Sequence, residues 1–147
     1  MTADEITAYV HEHIPITRSL GVRVEHYDGQ SVRLAALLRP NLNHRATAFG
    51  GSLSSVAILS GWVLLHLQLR EHGIANRLVI QRSALDFEAP VDGDFTAACT
   101  LPPAPAWSRF LSTLARHSSA RVTVTSTLEC ASGVGGRHLG TYVAVRS

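Results

Sequence analysis

Charge is scarce in this chain. Charged residues make up 16% of the 147 and aromatics 6%, against 46% apolar. So little charge leaves surface for a partner subunit to cover, and an oligomer is expected. The 13 basic and 11 acidic side chains sum to +2 with no basic run, which gives nucleic-acid binding no footing. Cysteine is nearly absent. Cys99 and Cys130 lack both metal-ligand spacing and a secretory context, so they read as reduced core thiols rather than a disulfide framework. The opening Met1-Thr2-Ala3-Asp4-Glu5 is polar and acidic, unlike a signal or transit peptide, and a cytoplasmic location is the default. A spanning apolar run is missing as well. Leu53 to Leu69, at about 1.5 Å per residue, covers roughly 25 Å, short of the ~30 Å of a hydrocarbon core, and Ser54, Ser55, Ser60, His66 and Gln68 interrupt it. No membrane segment is expected. The last absence is chemical: no Asp or Glu occurs between Asp28 and Glu71.

The length fits a single domain covering 1–147. Its organising stretch is Asn43-His44-Arg45-Ala46-Thr47-Ala48-Phe49-Gly50-Gly51-Ser52-Leu53. The two glycines allow a close approach of backbone to ligand. The segment they open is apolar on almost every side as far as Leu69, which predicts a helix buried all round, with Gly73 as its C-terminal stop. A helix N-terminus has unpaired N–H groups and partial positive charge, which suits an oxygen that gains negative charge during reaction. Gly50-Gly51 also reads as a plain tight entry into a core helix.

Around this helix the pattern predicts mostly strands. Ile6, Tyr9, Val10 and Ile14 mark a short amphipathic helix ending at Pro15. Gly21 to Tyr27 and Ser31 to Leu38, joined by Asp28-Gly29, read as a hairpin. Beyond Gly73 come a strand over Leu78 to Phe87, a turn over Ala89 to Asp94, and a returning strand from Phe95 to Leu101. Trp107, Phe110, Leu111 and Leu114 have helical spacing. Ala120 to Cys130 alternates, and Gly133-Val134-Gly135-Gly136 turns into a last strand from Leu139 to Val145. Such a chain is α+β, a curved antiparallel sheet wrapped around one long central helix, with one helix face left for a second subunit.

Strand order, helix position and the Asn-x-x-x-Thr-x-Phe-Gly-Gly-Ser-Leu loop resemble a hot-dog fold, in the thioesterase-like family that also forms the C-terminal half of a bacterial protein with an acetyltransferase-like first half. His13-Ile14-Pro15, Gly21-Val22, Asn43, Thr47, Phe49, Gly51-Ser52-Leu53, Gly61-Trp62, Pro90-Val91 with Gly93, Ala120-Arg121-Val122 and Gly140-Thr141-Tyr142 all fall where that family has them. The resemblance implies a homodimer or dimer of dimers with sites at the subunit interface. It also implies acyl thioesters carried on the phosphopantetheine of acyl carrier protein or coenzyme A, with no resident cofactor. Stand-alone members of the family are known as malonyl-acyl carrier protein decarboxylases that start fatty acid synthesis, whereas the wider superfamily is mostly thioesterases.

Hot-dog thioesterases place an acid just before the central helix or about two turns into it, and here that position is Ile58. Hydrolysis needs a base to activate water; loss of CO2 from a malonyl thioester needs none, and a carboxylate base would repel the malonyl group. A malonyl-thioester decarboxylase is therefore the reading favoured from sequence, with an acyl-thioester hydrolase or a catalytically silent acyl-binding module as alternatives. Gly50, backed by Gly51, is expected to donate N–H to the thioester oxygen, and Asn43 to orient the carboxylate or carbonyl, though Asn after Pro40 also reads as a turn former. Thr47, Ser52 and Ser55 are candidates for steering water or relaying a proton, with His44 beside them and Phe49 against the substrate; helix capping is the competing use of the hydroxyls. Arg45, Arg116 and Arg121 are candidates for the pantetheine phosphate or an acidic carrier surface, or are solvated charge. Asp86, between Leu85 and Phe87, reads as an interface salt-bridge partner and as the reserve hydrolytic base. His66 with His72, and His11 with His13, lack the geometry for a metal, and none is expected.

Overall fold

The computed structural model describes all 147 residues. In chain order the elements are α1 (Ala3–His13), α2 (Ile16–Ser19), β1 (Val22–Tyr27), β2 (Ser31–Ala36), α3 (Gly50–Glu71), β3 (Asn76–Phe87), β4 (Phe95–Thr100), α4 (Ala104–His117), β5 (Ser119–Cys130) and β6 (Gly133–Arg146), with a 3-10 turn over Arg39–Asn41. The six strands form one antiparallel sheet in the order β1-β2-β4-β5-β6-β3. This sheet curves around α3, which is the hot-dog architecture.

The central helix begins at Gly50, earlier than the apolar run suggests, and its 22 residues make it about 33 Å long. The length argument against a membrane span is therefore lost. Burial takes its place: 78% of the helix's most apolar window lies inside the fold. Val56, Leu64, Leu65 and Leu69 are fully enclosed, each contributing about 1.5–3 kcal/mol. Ser60 and Ser126 bond across 2.8 Å, fixing the helix to β5, and Tyr142 Oη donates to Ile58 O across 2.6 Å, fixing it to β6. Gly73, at φ +72°, ends the helix in the left-handed region.

The strand after the helix does not turn back into its sequence neighbour. β3 pairs with β6 at one edge of the sheet, while Phe95–Thr100 lies between β2 and β5. The 88–94 link is a crossover rather than a hairpin turn. The reason is burial: a hairpin there would leave one flank of a mostly apolar helix open, whereas the crossover lays β6 and β3 along that flank. β6 also starts earlier than the glycine turn suggested, at Gly133, so that Gly135 and Gly136 lie within the strand. Val91, 1% exposed, anchors the crossover, and a Cβ on Gly135 would collide with its side chain. Cys99 is buried on β4 and Cys130 half-buried on β5; both are free thiols, and burial pushes the Cys99 thiol up to about 11.

Candidate active site

The 43–49 loop is held from three sides. Asn41, 2% exposed, donates its amide to Leu20 O and Leu37 O at 2.8 and 2.7 Å, while its backbone carbonyl accepts the Phe49 N–H at 2.7 Å. The Ala48 N–H donates to Val91 O at 2.8 Å, so the crossover braces the loop from below. Within the loop, Asn43 Oδ1 accepts the N–H groups of Arg45 and Thr47 at 2.7 and 3.1 Å, and its Nδ2 donates to Thr47 Oγ1 at 2.8 Å. Ala46 at φ +63° completes the tight turn. Asn43 is the loop's internal clamp. Of its four hydrogen-bonding positions only the second amide hydrogen is loosely held, 3.4 Å from Ala48 O.

Phe49 leaves the loop in extended conformation and caps α3 without a side-chain hydrogen bond. The N–H groups of Gly50 and Gly51 find no acceptor within the chain. The rings bear differently on the two glycines: a side chain is excluded at Gly51, whereas at Gly50 it would meet only ordinary van der Waals contact. A Cβ on Gly51 would stand 2.5 Å from the Phe49 ring, and one on Gly50 would stand 3.4 Å from Phe87 Cζ. Two phenyl rings, both more than half exposed, thus flank two free backbone donors. Nothing ionisable lies between Arg45 and His66, so the first four turns of α3 carry no charge.

The other expected residues divide into those near this point and those away from it. Thr47 is drawn into the Asn43 clamp. Ser55 donates to Gly51 O at 2.9 Å, a bond inside the helix, and Ser52 is buried at its foot. His44 and Arg45 are exposed at the loop tip. Arg121 lies on the outer face of β5, where it lines a cleft beneath α4 with Arg109 and Gln81, and Arg116 is exposed in the last turn of α4. Neither joins the loop. Asp86 stands between Leu85 and Phe87, whose side chains face the helix, so the pleat puts its carboxylate on the opposite, outer face. It makes no ion pair within the chain.

An apolar cleft of about 400 Å³ runs between α3 and the start of β3, lined by Ile14, Ile16, Ser55, Ile58, Trp62 and Val79 among others. Ile58 forms part of its wall.

Sequence reasoning did not single out Asn41, Phe87 or a pair formed by Ser83 and His138. Ser83 Oγ and His138 Nε2 are 2.7 Å apart. Asn41 follows the turn-forming Pro40, and that adjacency was a signal for a structural Asn. Nothing local marked the other three. Phe87 meets Gly50 only because the chain folds, and Ser83 and His138 are 55 residues apart.

Residues 3–146 match the family described as "Putative thioesterase (yiiD_Cterm)". A protein of unknown function from Chlorobaculum tepidum has the same fold at a TM-score of 0.92 and 27% identity, over 99% of this chain and 94% of its own. A Shewanella oneidensis "putative thioesterase" superposes at 0.86 with 23% identity, over 97% and 96% of the two chains. A Pseudomonas aeruginosa protein described as "Probable Thioesterase" also superposes at 0.86, with 20% identity over 100% and 97%. A family match over nearly the whole chain, together with a helix wrapped by an antiparallel sheet, makes this a hot-dog protein: it belongs to the YiiD C-terminal family.

Proposed function

We propose that the chain decarboxylates a malonyl thioester to the acetyl thioester, the acyl group arriving on the phosphopantetheine of acyl carrier protein or coenzyme A. The observation that carries this reading is the uncharged helix beneath two free N–H groups. Cleavage of the bond between Cα and the carboxylate sends its electron pair into the thioester carbonyl, and the enolate oxygen gains the charge that Gly50 and Gly51 are placed to receive. That interaction is stronger in the transition state than in the ground state, which is what accelerates a reaction. A carboxylate at position 58 would oppose the entry of a malonyl group; Ile58 does not. Asn43 shapes the loop, and its loosely held amide hydrogen is a donor for the substrate carboxylate.

The second reading is thioester hydrolysis. The apolar cleft beside Ile58 favours it, since its size suits an acyl chain longer than malonyl. The family description supports it too. Both readings place a second copy of the chain along the open edge of β3, where Val79 and Phe87 are exposed.

Mass spectrometry of malonyl-acyl carrier protein after incubation with the pure protein separates the readings. Acetyl carrier is the expected product. Free carrier thiol would replace decarboxylation with hydrolysis, and an unchanged carrier would remove both.

A further inference from the structure

His138 is the one imidazole on the sheet wall that faces the acid-free half of α3. Its place follows from the register of β6. Gly136 pairs with Phe87, whose ring touches Gly50, and Tyr142 pairs with Ile80 and donates to Ile58 O. His138 lies between these two points on the same face of the strand, so it looks at the first turns of the helix. The strand makes room for it: Gly136 and Gly140 stand two residues to either side, both buried, and a Cβ on Gly140 would come within 2.8 Å of His138 Cε1.

The residue is 2% exposed, yet its ring makes a single hydrogen bond, between Nε2 and Ser83 Oγ at 2.7 Å; Nδ1 is buried with no partner. An idle nitrogen in a core is costly, and an apolar ring would pack there without it. Ser83 is exposed on the open strand edge. The pair therefore links a buried proton carrier to a solvent-exposed hydroxyl. The hydroxyls nearer the loop lack such a link, for Thr47 and Ser55 are held by neighbours that cannot titrate.

Building on the decarboxylation reading, we infer that Ser83, backed by His138 as its positioning and proton-supplying residue, delivers the proton that quenches the carbanion. The bookkeeping is simple. His138 takes one proton from water as the malonyl carboxylate enters. After CO2 leaves, the Ser83 hydroxyl proton passes to Cα, forming the new C–H bond, while the His138 Nε2 proton passes to Ser83 Oγ. His138 ends neutral with its Nδ1 proton, and the sum is malonyl thioester plus one proton giving acetyl thioester plus CO2.

The surroundings suit this cycle. Ser83 and Leu85 face the ring from β3, Gly140 and Tyr142 flank it on β6, Ser126 is its neighbour on β5, and α3 offers no ionisable group between Gly50 and Leu65. The titratable groups nearby are Tyr142 and Cys99, both pushed up by burial and neutral. Burial lowers the pKa of His138, so a proton taken up in response to the substrate's charge is readily released once that charge has gone.

The test compares wild type, Ser83→Ala and His138→Gln on malonyl-acyl carrier protein from pH 5 to 9. Acetyl product is followed by mass spectrometry, and the His138 Cε1–H resonance by NMR with and without sulfoacetyl-amino(dethia)-coenzyme A, an amide whose sulfonate cannot leave as CO2. Both variants are expected to lose about 100-fold in kcat at unchanged KM, and to lose the wild-type fall in kcat as pH rises. The analogue is expected to raise the pH at which the imidazole titrates. Ser83 is exposed, so that variant reports even if His138→Gln folds poorly. Wild-type acetyl production with unchanged rates and pH profiles in the variants, or an imidazole indifferent to the analogue, overturns the role of the pair alone. A wild type that yields thiol or leaves substrate intact overturns the decarboxylation reading and this role with it.

Discussion

Tyr142 and Gly61 fit one another across the interface between helix and sheet: the Tyr142 hydroxyl reaches Ile58 O at 2.6 Å, and a Cβ on Gly61 would strike that hydroxyl and stand 2.7 Å from Cζ. Gly61 sits in mid-helix, where glycine ordinarily costs about 1 kcal/mol. The close approach explains why it is there. Gly61→Ala is expected to destabilise the fold by about 1–3 kcal/mol, read as a lower urea midpoint at unchanged slope. A midpoint equal to wild type would mean that the ring moves aside freely.

Gly50→Pro separates catalysis from folding. Gly50 is the first residue of α3, its N–H is unpaired, and Phe49 before it is already extended at ψ 133°. Proline is well tolerated at such a position, so Tm should hold within a few degrees. Loss of the donor is expected to lower kcat by about 100-fold or more. Steady-state rates on malonyl-acyl carrier protein beside a thermal melt decide it, and full activity would remove the amide from the mechanism.

Asn43 is tested by two substitutions that differ in what they keep. Asn43→Ala removes the clamp on Arg45, Thr47 and Ala48 and is expected to loosen the loop, costing about 1–3 kcal/mol along with turnover. Asn43→Asp keeps both acceptor bonds and so the loop, but it sets a negative charge next to the glycines. Its Tm should stay near wild type while KM for the malonyl thioester rises. An unchanged KM would show that no carboxylate binds there.

Acid should weaken the fold in two stages. Burial lowers the pKa of His66 and His138, so both are neutral in the folded chain and bind protons more readily once unfolded. Their contribution is complete above the ordinary histidine value of about 6.5 and is lost as pH falls through their lower folded values. Asp28 behaves alike at more acid pH. Hydrogen bonds from the Gln30 and Ser31 amides hold it at about 2 against 3.8, so its contribution is lost between roughly pH 4 and 2. Thermal melts from pH 8 to 3 should be flat above 7 and fall below 6. A Tm that rises on acidification to pH 5 would contradict burial of both imidazoles.

Val79 is 60% exposed on the open edge strand. Val79→Asp is expected to shift the protein toward monomer in sedimentation equilibrium, with wild type dimeric at the same concentration. A monomeric wild type would remove the second copy from the site.

Periodicity made the elements legible, and local chemistry made the loop legible. Ile6, Val10 and Ile14 announced α1, Asp28-Gly29 announced the hairpin, and Gly50-Gly51 announced the head of α3. Pairing across the sheet was not legible, because adjacent strands usually pair and nothing between Phe87 and Phe95 says that the chain crosses beneath the helix. The loop's own residues could be listed from sequence, but their use could not. Asn43 reads equally as a substrate ligand or a clamp until its partners Arg45 and Thr47 are seen. Phe87 meets Gly50, and His138 meets Ser83, through register alone, which is a property of the whole sheet and not of any short stretch of chain.

The open edge of β3 has a thermodynamic consequence. Phe87 lies on that edge and also against Gly50, so any chain that pairs there is laid beside the free amides, and any ligand held by the amides rests against the pairing surface. Two binding events that share a wall are reciprocal: whatever factor association contributes to ligand affinity, the ligand returns to association.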